Sequence, residues 1–236
     1  MKLIKPLLTV ALLVAFYACS DETPEPGTIQ LSAKSNITAS AGKNAKNQEV
    51  IVEEFLVNVS KFELEIDVEH EDDSDDWDDN GYYDSMDEIA LDGPFVLDLT
   101  ALPTNFLDFQ VPNATFEELE FEFDKSEDQN SELFNKSIQV KGTINNTPFV
   151  FWHDFEEEVE VDFEDEQSDI IVNNDLNSVV VYFDVANLFS VEELANVTDN
   201  NEDGVIEISP TDMDGNNELA VSLKNKIKTL ISLLDN

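Results

Sequence analysis

Asp199-Asn200-Asn201-Glu202-Asp203-Gly204-Val205-Ile206-Glu207 sets oxygen-bearing side chains at alternate positions and a glycine directly after the third of them. That order, D-x-N-x-D-G-x-I, is the opening of a calcium loop. Asp199, Asn201 and Asp203 converge on one ion, Gly204 permits the sharp turn, Val205 offers its backbone carbonyl and Ile206 fastens the loop to a core. At loop position 12, where a bidentate glutamate is usual, stands Pro210. Glu207, or Asp212 and Asp214 just beyond, therefore has to complete the shell. The expectation is a structural Ca2+ held by Asp199, Asn201, Asp203, Val205, Glu207 and Asp212; the alternative is a metal-free turn rich in Asp and Asn.

A second cluster runs from Glu71 to Asp84. Its carboxylates lack regular spacing, which is the pattern of a self-repelling loop. Trp77, Tyr82 and Tyr83 are interleaved with them and offer aromatic faces to a glycan or to another envelope protein. Asp78, Asn80 and Asp84 offer a cation a place that would order the loop. The two histidines, His70 and His153, would have to meet to capture haem or a transition metal; separate strand-end or surface roles are the simpler expectation. A polysaccharide-acting hydrolase would use a carboxylate pair, yet fifty-three acidic residues single out no pair. No G-x-S-x-G, H-E-x-x-H or P-loop pattern is present, so no catalytic residue is nominated and a non-enzymatic role is expected.

Address comes from the other end of the chain. Lys2 and Lys5 precede an apolar run, Leu7 to Phe16, of the size of a secretory h-region and too short to span a bilayer. Ala18 then precedes the single cysteine, Cys19, the arrangement a lipoprotein signal peptidase needs, although Phe16 and Tyr17 depart from the commonest residues there. Residues 1–18 are expected to be a signal peptide and Cys19 to carry the lipid that anchors the chain in a membrane. Ser20-Asp21-Glu22 follows, an acidic tract like the surface-export signal of Bacteroidota lipoproteins, which points to the outer face of the outer membrane.

Using Cys19 in this way leaves no thiol for a disulfide, a metal or a nucleophile. Loss of Lys2 and Lys5 would take the formal charge from −41 to −43. Such a surface repels nucleic acid and anionic lipid head groups, and without any arginine it lacks the bidentate clamp for phosphates. Cations are its natural counterparts, with solubility in a saline medium as the plainer explanation.

The elements that position these groups are mostly strands. Residues 19–48 have the Pro, Gly, Ser and Asn content of a flexible spacer, with Thr28 to Lys34 as a short strand inside it. From residue 49 to 236 a single domain is expected. Phe55, Val57 and Val59 alternate, then Phe62, Leu64 and Ile66 alternate after a slip of one residue, as a bulged strand would. Period two recurs at Phe95–Leu99, Leu119–Phe123, Ile138–Gly142 and Val159–Phe163, and Val179–Val185 is a more continuously apolar strand. Asn145-Asn146-Thr147-Pro148 marks a hairpin turn before Phe149-Val150-Phe151-Trp152. Residues 67–88 form an acidic insertion. Asn216 to Leu234 reads as an amphipathic helix, with Leu219, Leu223, Ile227, Leu230, Ile231 and Leu234 as one stripe. About eight strands without intervening helices make an antiparallel β-sandwich with a calcium-type loop and a C-terminal helix the economical architecture.

The order Gly93-Pro94-Phe95-Val96-Leu97-Asp98-Leu99, Leu119–Phe123, Lys136-Ser137-Ile138-Gln139-Val140-Lys141-Gly142-Thr143, Thr147–Phe151 and Phe155–Glu158 behind a lipobox resembles uncharacterised lipoproteins of Bacteroidota. Their domains of unknown function are regarded as transthyretin-like or related β-sandwiches. The resemblance covers residues 50–234 and implies the same fold and location. It implies no catalytic residues.

Overall fold

The computed structural model describes residues 26–37, 41–43, 49–66, 88–100, 104–162, 170–173, 176–185, 188–189 and 194–234. Cys19, His70, Trp77, Tyr82, Tyr83 and the insertion from Asp67 to Asp87 lie outside these residues. In chain order the strands are β1 (Gly27–Ser35), β2 (Ala41–Lys43), β3 (Glu49–Ile66), β4 (Glu88–Asp98), β5 (Thr104–Val111), β6 (Ala114–Phe123) and β7 (Ile138–Ile144). They continue as β8 (Thr147–His153), β9 (Glu157–Asp162), β10 (Ile170–Val172), β11 (Leu176–Phe183), β12 (Ile206–Ile208) and β13 (Ile231–Leu234). A helix, α1 (Asn217–Ile227), precedes the last strand.

The fold is mainly β, with two sheets in a sandwich-like arrangement. One sheet runs β13-β11-β1-β5; the other follows β10-β6-β3-β7-β8-β12, with β2 and β4 also on β3 and β9 also on β6. Most pairs are antiparallel, but β1 lies parallel to β11 and β12 parallel to β8. The long strand β3 organises the larger sheet. Its first half pairs with β7 over residues 50–57 and its second half with β6 over residues 59–66, while β4 lines it over residues 56–65. The register shifts between Val59 and Lys61, at the slip visible in the alternation, so Ser60 is the bulge residue.

Between the sheets the phenylalanines close the core. Phe62 on β3 stacks at 5.4 Å on Phe106, which comes from β5 of the opposite sheet, and also touches Phe95 and Phe121 at 5.1 and 6.1 Å. Phe189 meets Phe55, Phe149 and Phe151 at 5.5–6.1 Å. Ring pairs at these spacings add to the area that burial alone contributes. Asn145 and Asn146 both have positive φ, 53° and 69°, the twist-matched turn expected between β7 and β8.

Two expectations are corrected. The strand expected at Thr28 to Lys34 is present, but it belongs to the domain and not to a spacer: Gly27–Ser35 is an interior strand of the smaller sheet, with Ile29 and Leu31 wholly buried and neighbours on both sides. Its alternating apolar side chains outweigh the loop-like composition around it. The helix also stops early. Residues 217–227 are helical and bury Ala220, Leu223 and Ile227 against β8 and β12, but Lys228–Leu230 tighten into a 3-10 turn and Ile231–Leu234 pair with β11. An apolar run with β-branched Ile231 satisfies either period, and the open edge of β11 decides between them.

Candidate functional site

The Asp199 loop connects the last turn before Thr198 to the edge strand β12, and each of its bends is made by a side chain of the motif. Gly204 N–H donates to Asp199 Oδ2 at 3.0 Å, Asp203 N–H to Asn201 Oδ1 at 2.9 Å and Val205 N–H to Asp203 Oδ1 at 2.9 Å. Glu202 and Gly204 take positive φ, 59° and 89°, which curls the chain around these oxygens; at Gly204 that conformation favours glycine. Ile206 and Ile208 are buried and tie the loop to β8 through the parallel pairing of Ile206 with Phe149.

Asp214 closes the loop from the other side. Wholly buried, it accepts Asn201 N–H at 3.3 Å through Oδ1 and Glu207 N–H at 2.8 Å through Oδ2, spanning loop positions 3 and 9. Its own carbonyl receives the Thr198 hydroxyl at 2.7 Å and the Asn200 amide. Asn216 completes the clasp. Its Nδ2 donates to the carbonyls of Thr198 and Glu207 at 2.8 and 2.7 Å, and its Oδ1 accepts Thr198 N–H at 3.1 Å. The Asn216 carbonyl then accepts the Ala220 amide at 3.0 Å, so the residue that clasps the loop also starts α1.

The structure thus brings Asp199, Asn201, Asp203 and Val205 together, as their spacing predicts, and gives the two remaining nominated ligands other partners. Glu207 Oε1 accepts Trp152 Nε1 at 2.9 Å and the Ser209 hydroxyl at 3.2 Å, which draws it toward β8. Asp212 accepts Ser209 N–H at 3.0 Å, Gly215 N–H at 2.8 Å and Asn216 N–H at 3.0 Å, bracing the turn before α1. Asp214, not Asp212, reaches the loop. Sequence spacing alone could not separate the two, because both follow Pro210 within four residues.

Do these groups fit calcium? The donors are all hard oxygens, the set such an ion prefers. Asp199 Oδ1 is buried without a hydrogen-bond donor, while its Oδ2 is engaged by Gly204. A buried carboxylate oxygen left unpaired is costly unless something cationic meets it. Among the described residues no lysine or histidine pairs with Asp199, Asp203, Asp212 or Asp214. The residues fit the ion.

A second acidic site was not singled out by its sequence. On the outer face of the larger sheet, the strand registers place Glu63 opposite Glu120, Glu65 opposite Glu118, Glu120 opposite Glu160, Glu122 opposite Glu158 and Glu65 opposite Glu88. Glu118, Glu120 and Glu160 bring carboxylate oxygens within 4.8 Å of one another. Burial first, then the charges of Glu158, Glu118, Glu63 and Glu160, push the Glu120 carboxyl up to about 7. Glu63, Glu65, Glu88 and Glu120 line a hollow of about 100 Å³, small beside the roughly 300–1,000 Å³ usual for ligand pockets. The signal was present as the polar half of each alternating strand, but facing pairs depend on register.

His153 lies half-buried at the end of β8, its ring 5.5 Å from Phe155, with Nδ1 accepting Asp154 N–H at 3.0 Å. Burial lowers its proton affinity against the opposing pull of Asp154. The structure assigns this ring a strand-end contact; His70, its proposed partner, lies outside the described residues.

No protein-family model matches the chain, and no curated protein does. Among solved structures it is similar to MbnP from Methylosinus trichosporium. The two share 11% sequence identity, the match covers 70% of this chain and 77% of that one, and the TM-score is 0.33. A likeness so distant carries no functional argument.

Proposed function

We propose that the chain is an exported lipoprotein, anchored through Cys19 at the outer membrane surface, whose sandwich serves as a non-enzymatic binding or accessory module for a glycan or another envelope protein. Calcium in the Asp199 loop fastens the chain ahead of β12 to the turn before α1 and does no chemistry. Asp199 Oδ1, buried and without a donor, is the observation that carries the calcium assignment. Gly204 engages one oxygen of Asp199 and leaves the other without a donor, and Asp214 sets a further carboxylate at the loop's inner side. When bound, the ion neutralises carboxylates that have no cationic side chain beside them.

Calorimetry on the purified mature chain tests this. Calcium at about 100 times its dissociation constant should add about 2.7 kcal/mol, raising Tm by roughly 5–10 °C for a domain of this size. Asp199→Ala should lose that rise while magnesium gives little of it in the parent. An unchanged Tm with calcium, or a full response in the variant, overturns the assignment. Cys19→Ser, followed by metabolic labelling with a fatty acid, checks the anchor separately: label retained on the variant would remove it.

A further inference from the structure

The outer face of the larger sheet places like charges where cross-strand neighbours usually attract. Directly opposed carboxylates destabilise a strand pair, and β9 meets two of them: Glu158 faces Glu122 and Glu160 faces Glu120, with Asp162 in register with Glu118. Against this repulsion β9 sets only Val159 and Val161 on its buried face. Among the described strands it pairs with β6. Its first residue is held independently, because Glu157 forms an ion pair with Lys224 of α1, whose ammonium lies 5.7 Å from the Phe155 ring.

We propose that β9 is a charge-operated latch, hinged at Glu157, that stays shut on β6 while the glutamate ladder retains a proton and loosens when the ladder is fully ionised. The observations supporting this are the register, the crowding of Glu118, Glu120 and Glu160, and the ion pair that holds Glu157. Every element beside Glu120 contributes to the field it meets. β3 presents Glu63, Glu65 and Lys61; β4 presents Glu88 and Asp92; β6 adds Glu118 and Glu122; β9 adds Glu158 and Glu160. Among the described residues of β3, β4, β6 and β9, Lys61 is the one lysine, and it is engaged by Glu63. β10 and β13, which pack on β6 and β9, carry no titratable residue.

The direction with pH follows from linkage. Glu120 binds its proton more tightly folded than unfolded, from the ordinary 4.5 to about 7. Its contribution to stability is complete below 4.5 and is lost as the pH rises through about 7. His153 acts in the opposite sense, since burial lowers its proton affinity and its contribution is lost as the pH falls below 6.5. The two are separable by sign, and by place, since His153 lies beside Phe155 and Lys224 near the start of β9 and not on the glutamate ladder.

Hydrogen exchange on the full chain at pH 5 and pH 8, corrected for the intrinsic chemical rate, reads the latch strand by strand. Protection of residues 157–162 should fall roughly tenfold or more at pH 8, the change that one pKa unit of linkage produces, while β1 and β11 of the other sheet change little. Glu120→Gln should hold β9 protection level across the range, and Glu160→Gln should do the same from the facing strand. Equal β9 protection at both values in the parent, or an undiminished fall in both variants, overturns the proposal.

Discussion

Asp214→Ala is expected to lower the stability of the sandwich by roughly 2–5 kcal/mol and to abolish its thermal response to calcium, because the substitution strands two part-buried amides at about 1–3 kcal/mol each. Those amides are Asn201 N–H and Glu207 N–H, now held at 3.3 and 2.8 Å by a carboxylate with no solvent exposure. Asp214→Asn separates brace from ligand. It keeps one carbonyl acceptor, so part of the stability should return, whereas the charge an ion needs does not. Urea denaturation of both variants, with and without calcium, makes the comparison. Parental stability in Asp214→Ala would show that the amides find other acceptors and that the clasp rests on Asn216 alone.

Gly142→Ala should cost about 3 kcal/mol or more, at the upper end of what overpacking does. Gly142 lies in β7 between Val52 of β3 and Phe149 of β8. A Cβ there would come 1.9 Å from the Ile51 carbonyl oxygen and 2.8 Å from the Phe149 ring. The ring can rotate, but the carbonyl belongs to the ladder that joins β7 to β3, so relief requires parting the two strands where the sheet is longest. Thr143→Ala, one residue along and lacking that crowding, is the control. A loss below about 1 kcal/mol in Gly142→Ala would mean that β3 yields at its bulge between Val52 and Glu54.

Much of this architecture is local enough to be legible in the sequence. The slip between Val59 and Phe62 marks the Ser60 bulge because each side chain shifts face there, and Asn145-Asn146 suits a turn needing two positive φ angles. The calcium-type loop is legible for the same reason: its bends are made by side chains reaching two to five residues. What fails is whatever depends on a distant partner. Ile231 to Leu234 continues the helical spacing, and only the free edge of β11 turns it into a strand. Thr28 to Lys34 is legible as a strand, but its interior place in a sheet is not, because that comes from β5 and β11. Asp212 and Asp214 are equivalent by spacing, and the path after Pro210 separates them. The glutamate ladder is further still from view, since it exists only once β3, β4, β6 and β9 are in register.

The place of β1 has a consequence for the order of events in folding. Thr28 pairs with Leu176, so the strand made first must wait for one made about 150 residues later before its parallel neighbour exists. Closing so wide a loop is entropically costly, and contacts this distant in sequence slow folding. Until it closes, β5 and β11 each carry an unfilled edge where β1 belongs, and such edges are templates for pairing with other chains. A fragment trimmed to begin at residue 49 would keep those vacant edges permanently. Its fate should be self-association, although every residue of the Asp199 loop would still be present.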